Sequence, residues 1–501
     1  MQLRPEVGHG FLDRICGPGT LGIIGDPLVN SPVVIIETLD DQRASVLVDR
    51  STRSLGGGFQ PTFGLRIQYD PDFAVRHARR VVSKVRRVKS SAACDSRKPS
   101  GHSRENDRED AMTYAPAGRP FYDADSHIME LPDFLKAYAD PDLRDEIPDV
   151  SYSASIVTDE EVAVIVGQGG RHSAEHVAAQ IALGDKLIEQ SKEIQALGAF
   201  NSADRTKALD LLGFRKQLVF ATHSLRMPFS PSSKLEHRLR YGAARAHNRH
   251  MADFCKADRR LMGVAAIPLD DPGLAMAELE FCLEAGLKAA WVPHRPCGER
   301  SPGHVDLDPF WARLAETGTP FVLHVGGAPL QLAKAWMNNG RPPTKDWLGG
   351  GENLRTKDVA LLHEGPEQFL TMMVLDGVLE RHPNLRGASV ELGAGWVPEL
   401  LRRLDWVVKH WSRNDANLQA LRRKPSEQIT QQLAFTPFVF EEVGALIDQS
   451  NADLYLFSSD YPHIEGGRNP IGRFETALGE RPDAVRDKFY AENFLRIFAD
   501  A

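Results

Sequence analysis

From residue 112 onward, apolar strand-like runs alternate with stretches of helical spacing, and that alternation restricts the chain to a parallel α/β architecture. The runs fall at residues 121–128, 217–223, 262–269, 288–294, 320–325, 386–392, 433–438 and 454–460. Eight strands joined by helical crossovers is the count of a closed (β/α)8 TIM barrel. An open, doubly wound sheet shares the alternation, but no glycine-rich phosphate loop follows any of the runs. Residues 272–286 illustrate a crossover: Leu274, Met276, Leu279 and Leu283 are placed near one helical face, and Gly286 stops the run. Two stretches are too long for this role, residues 129–216 and 326–385, the second containing Trp336, Trp347 and Gly349-Gly-Gly351. On a barrel such loops rise from the C-terminal face, so both are expected to be insertions that cap the site and recognise substrate. Within the first, residues 161–167 read as one more short strand and 173–197 as an amphipathic helix.

Residues 1–111 read differently. Two β-like runs, 33–37 and 44–48, are separated from their surroundings by glycine-rich stretches that include Gly56-Gly-Gly58. From Arg76 to Lys89 basic residues recur without a single acid, and a tract of Ser, Lys, Arg, Asp and Glu fills 90–110. The basic run reads as a solvated helix face leading into a linker, the alternative being a basic arm for nucleic acid. The tract after it is expected to be disordered. The barrel is therefore expected over 112–501, preceded by a poorly structured N-terminal extension over 1–111. A natural start at Met112 is the other reading of that extension.

Composition removes several function classes. A net charge of −8 argues against a dedicated nucleic-acid or anionic-membrane surface, since both select for a basic face. Apolar residues at 42% leave ample material for a core and for small-molecule chemistry. Cys16, Cys94, Cys255, Cys282 and Cys297 form no CxxC pair, which suits a reducing cytoplasm. No apolar run is long enough to span a bilayer, and the first 25 residues lack the hydrophobic region of a signal peptide, so a cytoplasmic protein without a membrane partner is expected.

Polar residues at the ends of apolar strands carry the chemical signal. In Tyr122-Asp-Ala-Asp-Ser-His127, the residues Asp123, Asp125 and His127 are two apart, and strand geometry aims them at one face. The fifth run is apolar until His324 and then meets Gly326 and Gly327; the eighth runs apolar into Ser459, Asp460 and Pro462. Singly, His324 reads first as a hydrogen-bonded core histidine, and Asp460 reads equally as a helix N-cap. Together, two donors from strand one, an imidazole from strand five and a carboxylate from strand eight converge only if the sheet closes, and convergence is what a divalent cation requires.

Several further motifs occur in order: Arg260-Leu-Met-Gly-Val-Ala-Ala-Ile-Pro-Leu269 followed by Asp-Asp-Pro272, His324-Val-Gly-Gly327, His382-Pro-Asn-Leu385, Glu391-Leu-Gly-Ala-Gly-Trp396, Lys424-Pro-Ser-Glu427 and Ser458-Ser-Asp-Tyr-Pro-His463. With Asp123-Ala-Asp-Ser-His127, these make residues 112 to 498 resemble the amidohydrolase-related family that includes aminocarboxymuconate-semialdehyde decarboxylase and the resorcylate-type non-oxidative decarboxylases. The resemblance implies one divalent metal ion on Asp125, His127, His324 and Asp460. Asp125 stands where many members carry histidine, and a carboxylate there makes the site harder, so manganese is expected beside zinc. After strand six, where characterised decarboxylases place a histidine, this chain has Glu391. Family members often pair, which places a homodimer among the expectations.

Two reactions use the same ligands. In a decarboxylase, which the family's activities favour, Asp460 carries a proton to the carbon that loses carbon dioxide. In a hydrolase acting on an amide, ester or lactone, Asp460 or Glu391 takes a proton from an attacking water. A third reading is a barrel that binds a small molecule without turnover. Asp125 and Asp460 together cancel a doubly charged ion, so an ionised Glu391 leaves the centre negative toward an anionic substrate. His223, Arg226, His294 and Arg295, at strand ends, are the candidates for substrate binding and compensating charge.

Overall fold

The computed structural model describes residues 113–152, 156–328, 333–342 and 356–498, together with four strands earlier in the chain. The chain divides into two compact units, Met1–Asn106 and Asp107–Ala501. In the first, strands β1 (Gly22–Ile24), β2 (Val33–Leu39), β3 (Gln42–Ser51) and β4 (Thr62–Gln68) pair antiparallel in sequence order, and the two β-like runs of the sequence lie in β2 and β3. The charged tract at 90–110, Trp347 and Gly349-Gly-Gly351 lie outside the described residues.

In the second unit, β5 (Tyr122–Asp123), β7 (Lys216–Ala221), β8 (Leu261–Ala266), β9 (Ala289–Trp291), β10 (Phe321–His324), β11 (Gly387–Val390) and β12 (Leu433–Phe435) run parallel in that spatial order, with β6 (His127–Ile128) also on β7. The eighth run closes the ring. Tyr455 bridges Phe435, Leu456 N donates to Phe435 O at 2.9 Å, Ala124 N donates to Phe457 O at 3.0 Å, and Tyr461 bridges Ser126. The (β/α)8 barrel follows from these contacts, and each crossover carries helical structure such as His237–Cys255 and Asp308–Thr317. Among the described residues no helix is long and apolar enough to cross a membrane.

Alternation along each strand sorts side chains between two apolar clusters. Leu218, Phe220, Met262, Val264, Ala266, Trp291, Val322, Ala388, Val390, Ala434 and Leu456 fill the barrel interior. Their neighbours Val219, Leu261, Ala265, Ala290, Phe321, Leu323, Leu433, Phe435 and Tyr455 pack under the helices. This is the period of two that a sheet buried on both faces imposes. Strand one departs from it: the chain bends at Ala124, which faces the interior, and β6 resumes at His127, whose ring lies 5.8 Å from interior Phe220. Asp123 therefore leaves the face shared by Asp125 and His127. Buried, it accepts from Ser459 N at 2.7 Å, Ser459 Oγ at 2.6 Å and Gln217 Nε2 at 2.7 Å, tying strands one, two and eight together.

Three local expectations are corrected. Residues expected as a short strand at 161–167 belong to the helix Asp159–Gly167: Thr158 and Glu161 form a capping box, and Asp159, Glu160 and Glu161 sit at the positive end of its dipole. These terminal effects override the β-branched run. The single helix expected over 173–197 is broken into Ala174–Ile181, Leu187–Gln190 and two 3-10 turns. In the crossover Pro272–Glu284 the buried stripe is Ala275, Glu278, Leu279 and Cys282, while Leu274 is exposed. Glu278 takes a core position because Arg245 and Asn248 hydrogen-bond its carboxylate.

Candidate metal centre

Strand phase aims His324 at the interior, because it lies two residues beyond interior Val322. Its ring packs 4.3 Å from Phe220 and 4.8 Å from Trp291. His324 Nδ1 lies 2.8 Å from the carbonyl oxygen of Val325. A carbonyl only accepts, so Nδ1 carries the proton and Nε2 faces Asp125 Oδ1 at 3.2 Å. His127 is set the same way. Its Nδ1 is 3.3 Å from Ala221 O, and its Nε2 lies 3.2 Å from Asp125 Oδ1 and 3.6 Å from Asp460 Oδ1. Two imidazoles fixed through Nδ1 thus turn Nε2 lone pairs toward carboxylate oxygens, an arrangement that a shared cation satisfies and that repels without one.

Donor atoms of Asp125, His127, His324 and Glu391 all lie within 4.8 Å of one another, and His127 belongs equally to a second trio with Asp460 and His463. Of the four residues expected to meet, Asp125, His127 and His324 fall in the first group with Glu391, and Asp460 falls in the second, which shares His127 with it. Glu391, given a catalytic role from sequence, stands closer to the Asp125 and His324 side, with Oε2 3.5 Å from His324 Nε2. Glu391 and Asp460 share a backbone feature at the site, since φ is 53° at one and 54° at the other, the left-handed region that residues with a Cβ seldom occupy. Asp125, Glu391, Asp460 and Glu465 line one narrow pocket of about 30 Å³ with Thr436 and Phe438. Among the described residues, His127 Nε2 and both carboxylate oxygens of Asp460 are buried and make no hydrogen bond. Nitrogen and oxygen donors in this number fit a divalent cation of the borderline-to-hard kind.

Electrostatics separate the two aspartates. Burial alone would raise Asp125, but His324 and His127 beside it hold its carboxyl below the usual carboxylate range. Burial dominates at Asp460 and raises it to about 7. Burial likewise lowers His127 to about 3, which keeps the imidazole neutral and able to bind a metal. His463 is the exception: Asp460, 3.2 Å from its Nδ1, overrides burial and raises it.

The strand-end candidates for substrate binding lie outside this pocket. Burial lowers His223 to about 4 and His294 to about 3, so neither carries charge near neutrality. Arg295 is spent on Asp270, with contacts of 3.1 and 3.0 Å, and Arg226 is exposed. His294 and Arg295 instead line a neighbouring cavity of about 500 Å³ with Phe369 and Met372. His463 and Glu465 are the functional candidates that sequence reasoning left without a role. His463 stacks on His127 with ring centres 4.0 Å apart, and its Nε2 is 3.0 Å from Thr222 Oγ1. The available signal was its place at the end of the Ser458-Ser-Asp-Tyr-Pro-His463 motif.

Comparison with known proteins shows the family and the fold. The sequence model described as amidohydrolase matches residues 216–499. A gamma-resorcylate decarboxylase of Rhodococcus jostii is 29% identical over 236 residues, which are 44% of this chain and 66% of that relative's length. The match thus spans just under two thirds of the relative. An amidohydrolase of Mycobacterium avium subsp. paratuberculosis superposes with a TM-score of 0.58 at 20% identity, covering 76% of this chain and 100% of the other. A 5-carboxyvanillate decarboxylase of Novosphingobium aromaticivorans with bound manganese gives 0.51 at 16% identity, covering 77% and 99%. At these identities the two superpositions establish the barrel fold.

Proposed function

Because the chain belongs to the amidohydrolase family, we propose that it is a metal-dependent carboxy-lyase acting on a small aromatic carboxylic acid. The observation that carries this reading is the convergence of Asp125, His127, His324 and Glu391 on one point, with Asp460 adjoining through His127. These five residues would hold one divalent cation. Three carboxylates against two imidazoles favour manganese over zinc, because oxygen donors suit the harder ion. The relatives named gamma-resorcylate decarboxylase and the manganese-bearing 5-carboxyvanillate decarboxylase point to the same substrate class, hydroxylated benzoic acids.

When bound, the cation would supply Lewis-acid charge toward an anionic substrate. The chain's own residues do the rest. Asp125 and Glu391 as carboxylates would balance two positive charges, and Asp460, which burial raises to about 7, would exchange a proton at its carboxyl oxygen near neutrality. An anionic substrate then enters a site without net repulsion. Asp460 gives its proton to the ring carbon as the bond to the carboxylate breaks and carbon dioxide leaves, and water restores the proton afterwards. His463, 3.2 Å from Asp460 Oδ1, orients that carboxyl group. Phe220 and Trp291 pack around His324 and exclude water from the imidazole.

The test is carbon dioxide release from a panel of ortho-hydroxybenzoic acids by manganese-loaded protein. Release from at least one acid supports the reading. Cleavage of esters, lactones or amides with no acid losing carbon dioxide contradicts it.

A further inference from the structure

The turn that follows Asp460 is gripped by three consecutive residues from the insertion between strands one and two. Ser191 Oγ lies 3.2 Å from the Tyr461 hydroxyl, which donates to Leu197 O at 2.9 Å. Lys192 Nζ donates to His463 O at 3.1 Å and to Gly467 O at 2.8 Å. Glu193 donates its N–H to Pro462 O at 3.0 Å and accepts from Ile464 N through Oε1 at 3.0 Å. Every residue from Tyr461 to Ile464 is therefore held by Ser191, Lys192 or Glu193.

The grip is an expensive construction. Glu193 is buried with φ of 51°, and the other non-glycine residues with positive φ among the described residues are Glu391 and Asp460, both at the candidate centre. The Lys192 ammonium is half-buried and the Glu193 carboxylate buried, and burial pushes Lys192 down and Glu193 up. An apolar pair would pack the same space at less cost, whereas two carbonyls and an amide N–H can be fixed in direction only by polar partners. The grip is itself anchored: His176 Nε2 bonds Gln195 O at 2.8 Å, joining the turn Glu193–Gln195 to the helix Ala174–Ile181, and His172 Nε2, just ahead of that helix, bonds Ile194 O at 3.0 Å.

We propose that Lys192 and Glu193 are positioning residues, which fix the 461–464 turn so that Asp460 and His463 meet the cation site at the required angle. The inference rests on the metal-dependent reading above. It makes the folding of the first insertion a condition for a complete site, although neither Lys192 nor Glu193 touches the reacting atoms.

Manganese affinity, read from the electron paramagnetic resonance of free and bound Mn(II) in the full chain, tests this. Lys192→Met and Glu193→Ala are expected to bind about 10- to 100-fold more weakly than the wild type, the usual range for residues behind a metal ligand, with Lys192→Arg recovering much of the loss and Glu193→Gln, which keeps the acceptor for Ile464 N–H, binding nearly as the wild type. The kcat of Lys192→Met and Glu193→Ala should fall while KM for the acid changes little. Folded Lys192→Met and Glu193→Ala with wild-type affinity, spectrum and kcat overturn the inference. Should Lys192→Met fail to fold, Glu193→Ala carries the same decision, because it removes the acceptor for Ile464 N–H. A wild-type chain that binds no manganese overturns the functional reading and this inference with it, and is distinguished by the wild-type titration alone.

Discussion

Glu391 and Asp460, which end the sixth and eighth strand segments of the barrel, hold nearly identical left-handed backbone angles, φ 53° and 54°, and line the same pocket beside Asp125. At Glu391, next to interior Val390, the sharp reversal turns a carboxylate off the strand's alternation and into the mouth of the ring, whereas Asp460, four residues beyond interior Leu456, keeps the strand's phase. Like charges are thereby crowded in a buried space, an arrangement that favours the cation-bound over the cation-free protein.

Replacing Glu391 with glycine should stabilise the metal-free protein while destroying activity. Glycine adopts positive φ without strain, which is worth about 1 kcal/mol, and one like charge leaves the cluster. Thermal unfolding in chelator is the check; a lower midpoint for Glu391→Gly contradicts the strain argument.

Cation binding should raise the unfolding midpoint of the wild type and not that of Asp125→Asn. A ligand at a thousandfold excess over its Kd adds about 4 kcal/mol when it binds the native state alone. Asp125 faces both imidazoles at 3.2 Å, so its loss removes the centre of the donor set. Equal shifts in wild type and variant would place the cation elsewhere.

Gly327→Ala should distort the fifth-strand end. An added Cβ would lie 2.9 Å from His324 O, 2.9 Å from Trp291 Nε1 and 3.1 Å from His294 Nδ1. Overpacking of this kind costs about 1–3 kcal/mol and displaces the neighbours. Urea unfolding and manganese affinity should both weaken; no change in either would mean that the loop yields freely.

Asp123→Ala should destabilise the barrel by roughly 3 kcal/mol or more, since it strands the buried donors of Ser459 and Gln217. Urea denaturation measures this directly. A loss below about 1 kcal/mol would show that Asp123 does not close the ring.

Much of this architecture was legible in the sequence, for particular reasons. Strands such as β7 and β10 announce themselves because a sheet buried on both faces requires unbroken apolar runs, and His324 stands out as the polar end of one. Asp125, His127 and Asp460 were readable by the same logic. Asp123 was misplaced because the bend at Ala124 breaks an alternation that sequence spacing takes as continuous. Helix Asp159–Gly167 was hidden by its valines, with the decisive information in the cap at Thr158 and Glu161. Glu391 was placed at the centre as a catalytic group but not as a donor grouped with Asp125 and His324, because its aim depends on one backbone angle. Lys192 and Glu193 were invisible for a deeper reason: their partners lie some 270 residues away, and no local pattern encodes the meeting.

The central claim is one cation held where strands one, five, six and eight meet, and its most direct measurement is metal content per folded chain after manganese loading and gel filtration. The account predicts about one manganese per wild-type chain and almost none in His324→Ala or Asp125→Asn that retain the wild-type circular dichroism. A folded wild type that emerges without metal, or variants that keep a full equivalent, would contradict it.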